Sequence, residues 1–289
     1  MKALIFGVTG QDGHYLIEVC KKNGIEPVGV SRSSSLKADV ADLPTVEKLI
    51  KSVNPSYIFH MAANSTTKPE ALFENHQTIS TGTLNILYSV KKNVPDAKVF
   101  ITGSGVQFRN TGKAISESDP FEASSPYAIA RIQSVYAARY FRTQGIKAYV
   151  GYLFHHESPL RKPNHVSQVI AQAVKRIHKG SQEKIALGDL TAEKEWTFAG
   201  DIVQGIWTLM GQEKIFEAVI GSGEAFPIQR WLEECFRVIG KDWRDYVRIK
   251  ENFVPEYKRL VSNPRQIKSL GWQPKVPLSE LAKRMVDYQ

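Results

Sequence analysis

A chain of 289 residues, 42% hydrophobic and 23% charged, has the composition of a globular protein that buries a sizeable core, which sets aside a disordered or low-complexity chain. No apolar run approaches the roughly 20 residues that span a bilayer, so no membrane partner is expected. The two cysteines, Cys20 and Cys235, are too far apart for a metal-ligand spacing or a disulfide framework, which points to a cytoplasmic setting and no metal.

A net charge of +9 invites a nucleic-acid reading. The basic residues are scattered, with only short dense spots such as "KRIHKG" and "SPLRK", so no nucleic acid is expected. A solvated surface and a site for a phosphorylated small molecule account for the surplus.

In chain order, "KALIFGV" reads as a buried strand and "HYLIEVCKKNG" as a helix stopped by Gly24. "EPVGVSRS" is a second strand and "KADVAD", residues 37–42, a short third one. Then come a helix in "VEKLIKSVN", a strand in "YIFHMAA", a helix in "TISTGTLNILYSVKKN" and a strand in "AKVFITGSG". Residues 127–145 form a further helix before the strand "KAYVGYLF". This alternation predicts an α/β fold of the Rossmann type, a doubly wound parallel sheet. After about residue 154 the pattern loosens into a polar loop, "HHESPLRKPNHVSQ", and turn-rich segments. A smaller, mainly C-terminal substrate domain over the carboxyl edge of the sheet is the simplest arrangement.

"FGVTGQDGHYLIE" places Gly7, Gly10 and Gly13 between the first strand and the first helix. Glycines there let the backbone approach a pyrophosphate, and the helix start supplies free N–H groups and partial positive charge. At the end of the second strand stand Arg32, Ser33 and Ser34 rather than an acidic residue, which selects NADP(H) over NAD. Asp39 and Val40, closing the supposed third strand, are placed against the adenine.

"GVTGQDG", "VSRSS", "HMAANS", "SSPYAIAR" and "LFHHESPLR" together resemble the extended short-chain dehydrogenase/reductase family, and within it the GDP-mannose 4,6-dehydratase branch. The likeness runs from residue 1 to "SLGWQPKVPLSELAKRMVD". It implies an NADP-binding domain in residues 1–153, completed by about 197–222, and a nucleotide-sugar domain in 154–196 and 223–289. A GDP-linked sugar is the implied substrate.

Carried over, the resemblance makes Tyr127 the catalytic acid/base and Ser104 the hydroxyl that holds the C4 oxygen. Arg131 stands where the family has a lysine that binds the nicotinamide ribose and stabilises the tyrosinate. Thr9, Gln11, Asp12, Met61, Ala62, Ala63, Leu153, His156 and Arg161 fall at cofactor positions, and Ser65, Glu157, Lys194 and Trp196 at substrate positions. The family commonly pairs through its two long helices, here about residues 76–93 and 127–145, which implies a homodimer.

Two departures bear on function. Where the dehydratases carry the glutamate that removes the C5 proton stands Val106, which cannot act as a base. Hydride transfer to a C4 ketone needs no such base, so NADPH-dependent reduction of a GDP-4-keto-6-deoxy sugar is the expected activity. The 4,6-dehydratase with another base, and a cofactor-binding relative without turnover, are the competing readings. Arg131 keeps the charge of lysine but changes its shape and cannot readily pass a proton.

Other residues read more plainly. His60 suits a structural hydrogen bond, and Tyr136 and Tyr140 suit packing or a subunit contact. Neighbours on an extended segment point apart, so His155, His156 and Glu157 should not converge on a metal. No G-x-S-x-G elbow surrounds Ser104, which disfavours a hydrolase.

Overall fold

The computed structural model describes residues 1–287. The chain starts in β1 (Lys2–Phe6) and continues through α1 (Gln11–Lys22), β2 (Glu26–Val30), α2 (Leu43–Val53) and β3 (Tyr57–His60). Next come α3 (Leu72–Asn75), α4 (Gly82–Asn93), β4 (Lys98–Ser104), α5 (Pro126–Arg142) and β5 (Ala148–Leu153). The second half holds β6 (His156–Glu157), α6 (Val166–His178), β7 (Ile185–Leu187), β8 (Glu193–Glu195), β9 (Thr197–Phe198) and α7 (Ala199–Met210). It ends with β10 (Glu217–Ile220), β11 (Ala225–Pro227), α8 (Ile228–Val238), β12 (Val247–Ile249), β13 (Arg259–Leu260), α9 (Arg265–Ser269) and α10 (Leu278–Asp287).

Six strands form one parallel sheet in the order β10-β5-β4-β3-β1-β2. A strand alternates its side chains between faces, and both faces here are apolar. Leu4 and Phe6 of β1 join a core shared with α2, α4 and α5, while Ala3 and Ile5 join a core shared with α1 and α7. The strand order reverses between β1 and β3, so the loops leaving their carboxyl ends splay apart and open a crevice.

A third apolar cluster lies outside the sheet. Ile170 and Val174 of α6, Trp231 and Phe236 of α8, and Leu281 and Met285 of α10 pack together there. The chain returns from it to the sheet through residue 272, whose indole Nε1–H donates to Asp201 O at 2.8 Å; the Asp201 carboxylate in turn accepts from Lys275 N and Val276 N.

Two expectations are corrected. Residues 37–42 form no strand: a single bridge joins Ser31 to Lys37, and the segment then turns, with Asp39 Oδ1 capping Ala41 N. Buried Val40 and partly buried Ala38 anchor it to the core, too little for a paired strand, and the six strands form the sheet without it. The helix expected over 78–93 is also irregular, because His76–Thr81 winds as a π-helix before α4 begins. The Ile79 carbonyl accepts from Gly82 N and from three side chains: Thr83 Oγ1–H at 2.7 Å, Ser134 Oγ–H at 3.2 Å and His60 Nε2–H at 3.3 Å.

Candidate active site

"VTGQDG" folds as a tight turn between β1 and α1. Gly7 has φ +87°, and a Cβ on it would lie 2.6 Å from Ala62 N; one on Gly13 would lie 2.6 Å from Val8 Cα. Only glycine allows this approach of loop, helix and the β3 exit. The first N–H bonded within the helix is that of His14, to Gly10 O at 3.2 Å, and no side chain caps the end. The N–H groups of residues 11–13 therefore face outward, which fits a phosphate.

Asp12 sits in that first turn, where a bare carboxylate would repel a phosphate. It is compensated: His156 Nε2 lies 2.9 Å from Asp12 Oδ1, while His156 Nδ1 donates to Phe154 O at 2.7 Å. Both ring nitrogens thus face acceptors, the pattern of an imidazolium. Burial opposes the charge on each, but the pairing outweighs it, raising His156 and lowering Asp12 from their ordinary values. Gln11 Nε2 also donates to His156 O at 3.2 Å, and Ser158 Oγ–H to Gln11 Oε1 at 2.8 Å.

Ser104 ends β4, its N–H fixed by Gln107 Oε1 at 2.8 Å. "SSPY" starts α5 because the Ser125 side chain accepts from Ala128 N at 3.2 Å and Pro126 takes the first turn. Tyr127 is thereby set on the cleft wall. Arg131, one turn on and 2% exposed, places its guanidinium carbon 4.9 Å from the Tyr127 ring centre, and Nη1 donates to Thr102 O at 2.6 Å. Burial, and then the charge of Arg131, push buried His60 down to about 4, so it is neutral.

These groups share one cleft of about 440 Å³. Of the residues singled out in the sequence, Thr9, Gly10, Gln11, Asp12, Met61, Ala63, Ser65, Ser104, Tyr127, Arg131, Leu153, His156, Arg161 and Lys194 line it. Gly7, Gly13 and Ala62 pack beneath the loop. Arg32, Ser33 and Asp39 are exposed and do not line the cleft; Arg32 Nη2 lies 3.2 Å from Glu74 Oε1.

Three placements differ from expectation. Glu157 is 1% exposed and lies under the cleft, where it accepts from Ser167 Oγ at 2.6 Å and sits 3.5 Å from both Lys194 Nζ and Arg161 Nε. Burial raises its pKa, yet these cations hold it at about 2, so it positions them as an anion. Trp196 is stacked on Trp231, ring centres 4.9 Å apart, with its N–H on Phe226 O; it supports Lys194, whose Nζ lies 4.4 Å from its ring centre. Val40 is buried beside α4, its carbonyl bonded by Asn85, and faces no cleft.

Sequence reasoning missed Thr66, Lys68, Lys162, His165, His155 and Tyr257, which also line the cleft. Tyr257 comes from a distant C-terminal loop, and its hydroxyl lies 2.8 Å from His155 Nε2. His155 and His156 do point apart, one to Tyr257 and the other to Asp12. A second cavity of about 210 Å³, lined by Leu187, Asp189, Ile228 and Phe253, adjoins the cleft and shares Lys194 and Tyr257 with it.

The parallel sheet, its glycine turn and the Ser104–Tyr127–Arg131 wall define a short-chain dehydrogenase/reductase of the extended, Rossmann-type class. Solved structures agree on the fold. The chain superposes on dTDP-glucose 4,6-dehydratase from Bacillus anthracis in complex with NAD with TM-score 0.87 at 17% identity, covering 100% of this chain and 96% of that one. For RMD from Pseudomonas aeruginosa complexed with NADPH the TM-score is 0.85 at 17% identity, over 99% and 97%. Residues 4–285 match the family described as GDP-mannose 4,6 dehydratase, and the chain belongs to that family. It is 33% identical to GDP-mannose 4,6 dehydratase 2 of Arabidopsis thaliana, over 99% of this chain and 86% of that protein. The expectation of a reductase is thereby corrected: similar proteins from plant, slime mould and human alike are named as 4,6-dehydratases. That expectation leaned on one missing base, Val106; the competing reading, a 4,6-dehydratase with another base, fits these relatives better.

Proposed function

We propose that this chain is a GDP-mannose 4,6-dehydratase, working with NADP. The observation that carries the reading is the single cleft in which Ser104, Tyr127 and Arg131 face the glycine turn, in a chain matched to that family almost end to end.

The cofactor's diphosphate would rest on the free N–H groups of residues 11–13, with Asp12 neutralised by His156. Arg32 follows β2 in the stretch "SRSSSLKA", which carries no acidic residue of its own, and by exchanging its Glu74 partner for a phosphate it favours NADP. The bound nicotinamide supplies the hydride chemistry, at C4 and then at C6, so the reaction consumes no net reductant.

Ser104 holds the C4 hydroxyl and Tyr127, as tyrosinate, takes its proton when C4 is oxidised. Arg131 stabilises that tyrosinate through its stacked charge. Arg161 and Lys194, held by Glu157, bind the substrate's diphosphate, and the adjoining cavity takes the nucleoside. Residues 1–153, with about 197–222, carry the cofactor, and 154–196 with 223–289 carry the sugar nucleotide.

The protein works as a homodimer in the cytoplasm, a setting suited to its two buried free thiols, Cys20 and Cys235. No helix of the described residues is long and apolar enough to cross a membrane.

The test is turnover of GDP-mannose with a trace of NADP. The expected product is a GDP-4-keto-6-deoxy sugar formed in large excess over cofactor, with no accumulation of reduced nicotinamide. Tyr127→Phe is expected to abolish this and to keep NADP binding. Absence of any oxidised sugar from GDP-mannose would overturn the assignment.

A further inference from the structure

Elimination of water from a 4-keto sugar requires removal of the C5 proton, and Val106 cannot remove it. Within the cleft the obvious carboxylates are engaged elsewhere. Asp12 is tied to His156, and Glu157 is buried against Ser167, Lys194 and Arg161. Glu256 also lines the cleft but is exposed to solvent.

The same cleft holds a hydrogen-bonded pair that no other part of the mechanism uses. Val106 and Tyr257 are both half-buried and pack against the same apolar cluster. The Tyr257 hydroxyl lies 2.8 Å from His155 Nε2, and His155 Nδ1 is buried with no hydrogen-bond partner among the described residues. His155 and Tyr257 line the cleft together with Ser104, Val106 and Tyr127. A phenol backed by a neutral imidazole is a base of the kind acid–base enzymes assemble from two side chains.

We propose that the Tyr257–His155 pair is the general base that removes the C5 proton, in place of the glutamate that Val106 replaces. The inference rests on the 4,6-dehydratase reading and deepens it. With C4 oxidised, Tyr127 is protonated. The C5–H bond then breaks, its proton passing to the Tyr257 oxygen as the phenolic proton moves to His155 Nε2. The C5–H electron pair forms the C5=C6 double bond, the C6–O bond breaks, and the departing hydroxide leaves as water with the proton of Tyr127. The hydride removed from C4 arrives at C6, the pair returns its proton to C5, and every group regains its starting state.

The surroundings suit this cycle. Burial, and then the charge of Lys194, hold His155 neutral in the resting protein, well below its ordinary value, as a base must be. Glu157 favours the imidazolium, and Arg161 and His156 oppose it.

The experiment runs GDP-mannose and NADP in deuterium oxide with the full chain and two variants, Tyr257→Phe and His155→Gln. Deuterium at C5 is read by mass spectrometry, and the first hydride transfer by the single-turnover rise of reduced nicotinamide. The expected result is near-normal hydride transfer in both variants, with C5 exchange falling by roughly 100-fold or more, the scale of a lost general base. Retained hydride transfer itself shows the variants folded. Adding Val106→Glu to Tyr257→Phe is expected to restore exchange. Wild-type exchange in both variants overturns the proposal, as does loss of exchange in Glu256→Gln, or equal loss of hydride transfer and exchange. Failure of the parent reading looks different: the wild-type chain would form no reduced nicotinamide from GDP-mannose.

Discussion

Arg131 shows how a charge can be kept while its geometry changes. Its guanidinium stacks on Tyr127 and is pinned by Thr102 O, whereas a lysine ammonium has no plane to stack. Arg131→Lys is expected to retain activity within about tenfold, because the charge survives. Arg131→Met should lose roughly 100-fold in kcat and leave the Thr102 carbonyl without its donor, with only a modest change in KM for the sugar. Steady-state kinetics on both variants, with melting curves as a folding control, check this.

The Asp12–His156 pair makes a second claim at the same scale. His156 is raised above its ordinary 6.5, so its stabilisation is full below 6.5 and is lost as pH rises through the folded-state value. Asp12 is lowered from 3.8, so its share is present above 3.8 and lost as pH falls through the folded value. The pair is therefore fully formed between about 4 and 6.5, and its support fades on the alkaline side. Asp12→Asn should lower the His156 titration, followed by NMR, since burial and the nearby charge of Arg161 are then opposed only by the bond to Phe154 O. A titration unchanged by the substitution would contradict the pairing.

At the scale of elements, the turn "GVTGQDG" was legible because Gly7 and Gly13 each answer to a local backbone demand. Gly13→Ala would drive a methyl into the Val8 backbone and is expected to lower stability and abolish cofactor binding, read by thermal melts and by NADP titration. The strand expected in 37–42 failed for the opposite reason. Alternation over so few residues carries little information, and pairing is decided by neighbours far along the chain. The π-helix at 76–81 left no mark in the periodicity either, since what permits it is a set of donors from His60, Thr83 and Ser134. Tyr257 was unreadable for a like reason: 102 residues separate it from His155, and only the tertiary fold brings the two together.

For the whole molecule, several large apolar side chains are left in solvent along two helical segments. Phe73, Leu84 and Tyr88 are 78%, 49% and 48% exposed, and Tyr136 and Tyr140 on α5 are 59% and 61% exposed. Pairing of two copies through these helices would cover them. Leu84→Asp combined with Tyr140→Glu is expected to convert a dimer to a monomer in light scattering; a variant of unchanged mass would rule out this face.

One extended segment, 154–158, keeps its two adjacent histidines in separate compartments, the first with Tyr257 and the second with Asp12. Side-chain identity alone does not encode that division; counting does. Deleting or inserting a single residue between β5 and β6 would turn each imidazole to the opposite side of the segment and away from its present partner. This stretch should therefore be unusually sensitive to changes of length, the reverse of what surface loops allow.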